Sequence, residues 1–155
     1  MNSRFNGATL AAGGYKAMLA LEQYLHSCGL EIKLLHLIKL RASQLNGCAY
    51  CIDMHWKDLR AVGESEQRCY GLDAWEESPY YSDRERAALR WTEAVTLIRD
   101  GHAPDAVYDA VRSQFNEKEI ADLTVAIAAI NAWNRMAIAS RAVPGAYKAP
   151  EPKRA

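Results

Sequence analysis

Two cysteines and a histidine stand at spacings that suit redox or metal chemistry. Cys48 and Cys51 are three residues apart, and His55 follows four residues later. On a helix all three side chains would project to one face. Asn46 and Gly47 precede the pair and predict a helix C-cap, because both residue types tolerate left-handed backbone geometry. The cysteines are therefore expected in the first turn of a new helix, where free N–H groups and the helix dipole stabilise a thiolate.

A lowered thiol pKa accounts for only part of such reactivity. Lowering it from about 8.5 to about 7 raises the thiolate fraction at neutral pH roughly 16-fold. The accompanying loss of nucleophilicity is roughly five-fold, so the net gain in the rate of thiol attack is small. A thiol peroxidase also needs a proton donor for the leaving oxygen and a second thiol that resolves the sulfenic acid. His55 is the candidate donor, and the other cysteine of the pair is the candidate resolving thiol.

Two other interpretations of this cluster remain open. Cys-X-X-Cys pairs also arise by chance and then pack as small apolar groups. Alternatively, the two cysteines and His55 are zinc-type ligands, with Cys69 or His36 as the fourth. Structural zinc sites usually draw their ligands from two separated pairs, and this chain has one pair and a histidine on the same predicted helix.

Length, charge and composition limit the function classes. The chain has 155 residues, which suits one domain, and we expect it over residues 1–143, followed by a mobile or extended proline-containing arm at 144–155. Lys and Arg together number 19, as do Asp and Glu, so the net charge of zero argues against a nucleic-acid partner. The sequence lacks a membrane-length apolar run and an apolar signal-peptide core. We therefore expect no membrane partner and a cytoplasmic location, where structural disulfides are rare.

Hydrophobic periodicity and capping signals predict an all-α fold of six or seven helices. No segment alternates apolar and polar residues in the manner of a strand over a useful length. Ser82 with Glu85, and Asn116 with Glu119, are spaced as capping boxes. The predicted helices cover residues 15–28 (after a turn at Gly13 and Gly14), 31–45, 48–61, 64–72, 82–99, 104–113 and 116–140.

Residues 41–55 contain the pattern Asn-Gly-Cys-X-X-Cys-X-X-X-His and resemble the core motif of the alkyl hydroperoxidase D and carboxymuconolactone decarboxylase family. Residues 83–89 and 130–135 are also similar to that family, and the resemblance spans about residues 15–141. It implies an all-α, hydroperoxidase D-like subunit that assembles into homotrimers or homohexamers. It also implies a peroxidase that uses no haem, metal or flavin cofactor. The decarboxylase branch is disfavoured, because its members generally lack the cysteine pair.

The resemblance also implies a role for each site residue. Cys51 would attack the hydroperoxide, Cys48 would resolve the oxidised sulfur, and His55 would belong to a proton relay. A dithiol or lipoyl-type reductant would return electrons to the disulfide. In the family, the relay begins with a glutamate twelve residues before the first cysteine, and this chain has His36 there. Either His36 substitutes in the relay, or the relay is broken and His36 is a buried or interface histidine.

The leading hypothesis is therefore a thiol-dependent hydroperoxidase or disulfide reductase. The alternative is a non-enzymatic redox sensor or binding module that uses the same disulfide, with peroxidase activity weakened by His36. Outside the site, Cys28 and Cys69 are expected to pack as small apolar groups. Asn131 and Asn134, two polar residues in the apolar last helix, are expected to form hydrogen bonds across a subunit contact.

Overall fold

Every regular element in residues 2–150, the part of the chain that this computed structural model describes, is helical. The all-α prediction is confirmed, and the structure adds a short first helix before those predicted. Residues 151–155 of the predicted arm lie outside the described range. No helix within that range is both long and apolar enough to cross a membrane. The helices are α1 (Gly7–Leu10), α2 (Ala12–Ser27), α3 (Ile32–Asn46), α4 (Ala49–Ala61), α5 (Glu66–Tyr70), α6 (Asp83–Thr96), α7 (Asp105–Arg112) and α8 (Glu117–Ser140), with a 3₁₀ helix at Gly71–Ala74.

Local capping signals explain several helix boundaries. The side chain of Ser82 accepts the backbone N–H of Glu85, whose carboxylate accepts the N–H of Ser82 in return. Asn116 and Glu119 form the same reciprocal pair at the start of α8. Both predicted capping boxes are therefore present. At the end of α3, Gly47 adopts left-handed geometry with φ of +68°, as the sequence predicted.

The predicted turn at Gly13 and Gly14 is wrong, because both glycines lie inside α2. Glycine is a poor helix former, but tertiary packing routinely overrides such a preference. Tyr15, the next residue of α2, packs edge-on against Trp133 of α8, with 5.5 Å between the ring centroids. This contact anchors the start of α2 on the body of the protein.

The central helix is α3, which packs against α4, α6 and α8. Its residues from Leu34 to Ser43 are all buried, and apolar side chains occupy more than one face of the helix. One buried cation on α3 is Arg41, which is paired with Glu93 at 2.8 Å and with Asp73 at 2.6 Å. Burial of α3 therefore places charged and titratable side chains, as well as apolar ones, inside the protein.

A network of side-chain amides ties the end of α3 to α8. Asn46 donates through Nδ2 to Asn131 Oδ1 at 3.0 Å and to Asn134 Oδ1 at 2.8 Å. Asn134 is fully buried and donates to Ser43 Oγ at 3.1 Å. These partners lie within the chain, whereas the sequence analysis expected them across a subunit contact. Because Asn46 lies two residues before Cys48, the network helps to fix the entry into α4.

The chain after α8 returns along α4. Residues 142–150 contain no helix. Lys57 donates through Nζ to the carbonyls of Gly145 at 3.2 Å and Tyr147 at 3.1 Å. The Tyr147 hydroxyl donates to Asp58 Oδ1 at 2.7 Å. This C-terminal segment therefore places Tyr147 against the face of α4 that carries the cysteine pair.

Candidate active site

A cavity of about 500 Å³ lies among α2, α3, α4 and α8 and is lined by three of the four candidate site residues. Cys51 and His55 reach it from α4, and His36 reaches it from α3. The remaining lining residues are Tyr15, Leu19, Glu22, His26, Lys39, Tyr50, Met54, Asp58, Trp133, Met136, Ala137, Ser140 and Ala142.

The cysteine pair lies at the start of α4, where the sequence predicted it. Cys48 is the N-cap residue, and its Sγ accepts the backbone N–H of Cys51 at 3.4 Å. The two sulfurs are joined as a disulfide, with 5.4 Å between the Cα atoms. Cys51 borders the cavity, whereas Cys48 packs in an apolar cluster with Ala42 and Ile130. An oxidant in the cavity would therefore meet Cys51 first.

The two histidines face one carboxylate. The rings of His36 and His55 lie 5.9 Å apart, and both side chains are buried. Asp58 Oδ2 lies 3.8 Å from His36 Nδ1 and 3.6 Å from His55 Nδ1, slightly beyond ordinary hydrogen-bond range. Within residues 2–150, His36 Nδ1 and both ring nitrogens of His55 have no hydrogen-bond partner. Tyr147 holds the other oxygen of Asp58.

Burial determines the protonation states in this cluster. It lowers the pKa of His36 to about 4, with a further lowering from the neighbouring His55. Burial also lowers the pKa of His55, against the opposing effect of Asp58. Burial alone would raise the pKa of Asp58, but His55, the Tyr147 hydroxyl and His36 together outweigh it and lower that pKa. At neutral pH the cluster is therefore two neutral imidazoles beside one carboxylate.

Several polar residues that line the cavity were not identified from the sequence. Asp58 and Lys39 follow His55 and His36 by three residues, a helical spacing that could have indicated them. Lys39 is buried and paired with Glu22 of α2 at 2.5 Å. Glu22 also accepts the indole N–H of Trp133 at 3.0 Å. No local pattern in the sequence indicated Glu22, because its partners come from distant helices.

The two remaining cysteines lie away from the pair. Cys69 is buried in a separate cluster with Leu37 and Leu72, where burial raises the pKa of its thiol to about 11. Cys28 is half-buried at the end of α2, and its Sγ donates to the carbonyl of Leu25 at 3.1 Å. The structure thus does not bring Cys69 to the pair as a fourth zinc ligand.

Fold and site together define an all-helical protein with a cysteine pair at a helix start beside two buried histidines. A model of the carboxymuconolactone decarboxylase family matches residues 12–94, just over half of the chain, including the whole motif. The chain is an alkyl hydroperoxidase D-like member of that family.

Individual relatives agree with this assignment. The uncharacterized protein YdfG of Bacillus subtilis (strain 168) is 44% identical over 139 residues, which cover 90% of this chain and 95% of that protein. A solved structure from Agrobacterium tumefaciens, of a protein of unknown function proposed to be the antioxidant defence protein AhpD, has a TM-score of 0.91 and 46% identity, with coverage of 94% of this chain and 100% of that one. An uncharacterized peroxidase-related protein from Ralstonia eutropha JMP134, described as an alkylhydroperoxidase AhpD core, has a TM-score of 0.80 at 21% identity, over 90% of this chain and 74% of that one. This last likeness concerns the fold alone.

Proposed function

We propose that this protein is a thiol-dependent hydroperoxidase that cycles the Cys48–Cys51 pair between dithiol and disulfide. The observation that carries the proposal is the placement of the pair. Its second cysteine borders a cavity of about 500 Å³ that also contains His55, one helical turn further along α4. The cavity is lined mainly by apolar and aromatic side chains and has room for an organic hydroperoxide.

The peroxide step uses Cys51 as nucleophile. The neutral imidazole of His55 accepts the thiol proton, and the Cys51 thiolate attacks the terminal oxygen of the hydroperoxide. The O–O bond breaks, an S–O bond forms, and the sulfur becomes a sulfenic acid. The protonated His55 then returns its proton to the leaving alkoxide, which departs as an alcohol. Since burial disfavours the charged imidazole, this proton transfer to the alkoxide is strongly downhill.

The resolving step uses Cys48. Its thiol attacks the Cys51 sulfenic acid, the S–S bond forms, and the hydroxyl leaves with a proton as water. A dithiol or lipoyl-type reductant then reduces the disulfide by thiol–disulfide exchange, and its own two thiols become a disulfide. The cytoplasm, where thiols are kept reduced, is the compartment we propose for this cycle.

The relay differs from that of the family it resembles. His36 occupies the position of the family's glutamate, and its ring lies 5.9 Å from that of His55. Asp58 supplies the anion that the glutamate would supply, since its Oδ2 lies 3.6 Å from His55 Nδ1. In this proposal His36 and Asp58 orient His55 and stabilise its transient positive charge.

The subunit is proposed to assemble as a homotrimer or homohexamer. Apolar side chains remain exposed on the single chain, among them Leu10, Leu19 and Ile138. Such residues are candidates for burial between copies. Light scattering coupled to size-exclusion chromatography measures the assembly directly, and a monomeric mass would contradict it.

Thiol counting tests the peroxidase proposal. The fully reduced protein has four cysteines, and one equivalent of cumene hydroperoxide should remove two thiols rapidly. In Cys51→Ser the loss should vanish. In Cys48→Ser the Cys51 sulfur should stop at the sulfenic acid, which dimedone captures. Cys28→Ser is the matched control and should still lose two thiols. Equal rates of thiol loss in Cys51→Ser and in the unchanged protein would refute the assignment of Cys51 as the nucleophile.

A redox sensor is the second candidate, and His36 in place of the relay glutamate favours it. Both candidates form the disulfide, but only an enzyme turns over. With excess dihydrolipoamide, a peroxidase should consume many equivalents of cumene hydroperoxide per subunit. A sensor would form one disulfide per subunit and regain its thiols slowly.

A further inference from the structure

Three buried side chains in the cavity, those of His36, His55 and Asp58, converge on one another. One ligand-type atom from each of His36, His55 and Asp58 lies within 4.8 Å of the other two. All three residues are more than nine-tenths buried. Asp58 Oδ2 lies 3.6 Å from His55 Nδ1 and 3.8 Å from His36 Nδ1. Ligands in a tetrahedral shell at about 2.1 Å from zinc are about 3.4 Å apart, so both Asp58 separations lie within a few tenths of an ångström of the spacing in a zinc shell.

The ring nitrogens need a partner that the described part of the chain does not provide. Within residues 2–150, His36 Nδ1 and both nitrogens of His55 are buried without a hydrogen bond. Buried polar atoms are nearly always satisfied in folded proteins. We propose that His36, His55 and Asp58 bind a divalent transition-metal ion of the zinc type through two ring nitrogens and one carboxylate oxygen.

The surroundings support this donor set. Tyr147 donates to Asp58 Oδ1 and leaves Oδ2 directed at the histidines, as outer hydrogen bonds do at metal sites. The nearby cation of Lys39 is paired with Glu22, which reduces its repulsion of a second cation.

Nitrogen and oxygen ligands of this kind suit Zn²⁺ and Co²⁺. Three protein ligands leave a fourth position for water or for a group bound in the cavity, as at open zinc sites. Metal binding would also have a consequence that rests on the proposed function. An ion on His55 Nδ1 would leave the ring's proton on Nε2, so the imidazole could no longer accept the Cys51 thiol proton, and bound metal and peroxide turnover should exclude each other.

The test uses the full-length protein in its disulfide form, so that Cys48 and Cys51 cannot act as ligands. Titration with Co²⁺ should give visible absorption that saturates at one ion per subunit, and Zn²⁺ should displace it. His36→Gln and Asp58→Asn should each weaken Zn²⁺ binding at least about 100-fold, the upper end of the loss seen for outer-shell partners. Tyr147→Phe keeps all three ligands and should weaken binding about 10-fold. His102→Asn, in an exposed turn, is the control and should bind normally.

Two outcomes would overturn the metal site. One is the absence of saturable Co²⁺ absorption in the folded protein. The other is unchanged Zn²⁺ affinity in Asp58→Asn with its circular dichroism intact. The readouts also separate the two proposals. If the protein binds metal but loses no thiols to peroxide, the peroxidase proposal alone is refuted. If it loses thiols to peroxide, binds no metal, and reacts at the same rate with chelators or added Zn²⁺, the metal site alone is refuted.

Discussion

Replacement of Asn134 by alanine should destabilise the protein through the amide network between α3 and α8. Asn134 is fully buried, donates to Ser43 Oγ and accepts from Asn46 Nδ2. Two lost hydrogen bonds remove about 1 kcal/mol each. The vacated volume adds a penalty on the order of 1 kcal/mol. The better helix propensity of alanine returns about 0.5 kcal/mol. We therefore expect Asn134→Ala to lower the free energy of unfolding by about 2–3 kcal/mol.

Urea denaturation followed by circular dichroism measures this change. For a chain of this size, a loss of that magnitude should lower the melting temperature by about 5–10 °C. Gln23→Ala, an exposed position on α2, is the control and should stay within about 0.5 kcal/mol of the parent protein. A change below about 0.5 kcal/mol in Asn134→Ala would show that the network does not stabilise the α3–α8 contact, and the reasoning would fail.

Three further predictions concern buried charge, thiol reactivity and backbone geometry. Arg41→Ala should lower the free energy of unfolding by about 2 kcal/mol, because the half-buried Glu93 loses its charged hydrogen bond from Arg41; equal urea midpoints for variant and parent would contradict this. Cys69 should react with iodoacetamide at pH 8 at least roughly 200-fold more slowly than an ordinary free thiol, because its pKa of about 11 leaves little thiolate. Mass spectrometry should find Cys28 modified first, and equal labelling of Cys28 and Cys69 would refute the raised pKa of Cys69. Gly47→Ala should destabilise the protein by about 1–2 kcal/mol because φ is +68° there, whereas an unchanged melting temperature would show that the turn tolerates a side chain.

Features that depend on neighbouring residues were predictable. The capping boxes at Ser82 and Asn116 need only a cap residue and a glutamate three positions later, and both are present in the structure. The left-handed Gly47 was predictable for the same reason. The turn at Gly13 was predicted wrongly, because local propensity favours a break there and packing of α2 on α8 overrides it.

Local sequence patterns were enough to predict the helical class, the main helix boundaries and the cysteine pair at a helix start. These follow from periodicity, capping and spacing, which act over a few residues. Which groups share the cavity with that pair depends on how the helices pack. Asp58 faces His36 because α3 and α4 pack together, Glu22 arrives on α2, and Tyr147 arrives on a segment that returns along α4. Burial, which makes both histidines neutral, likewise exists only after folding, since it depends on every helix packed around the site.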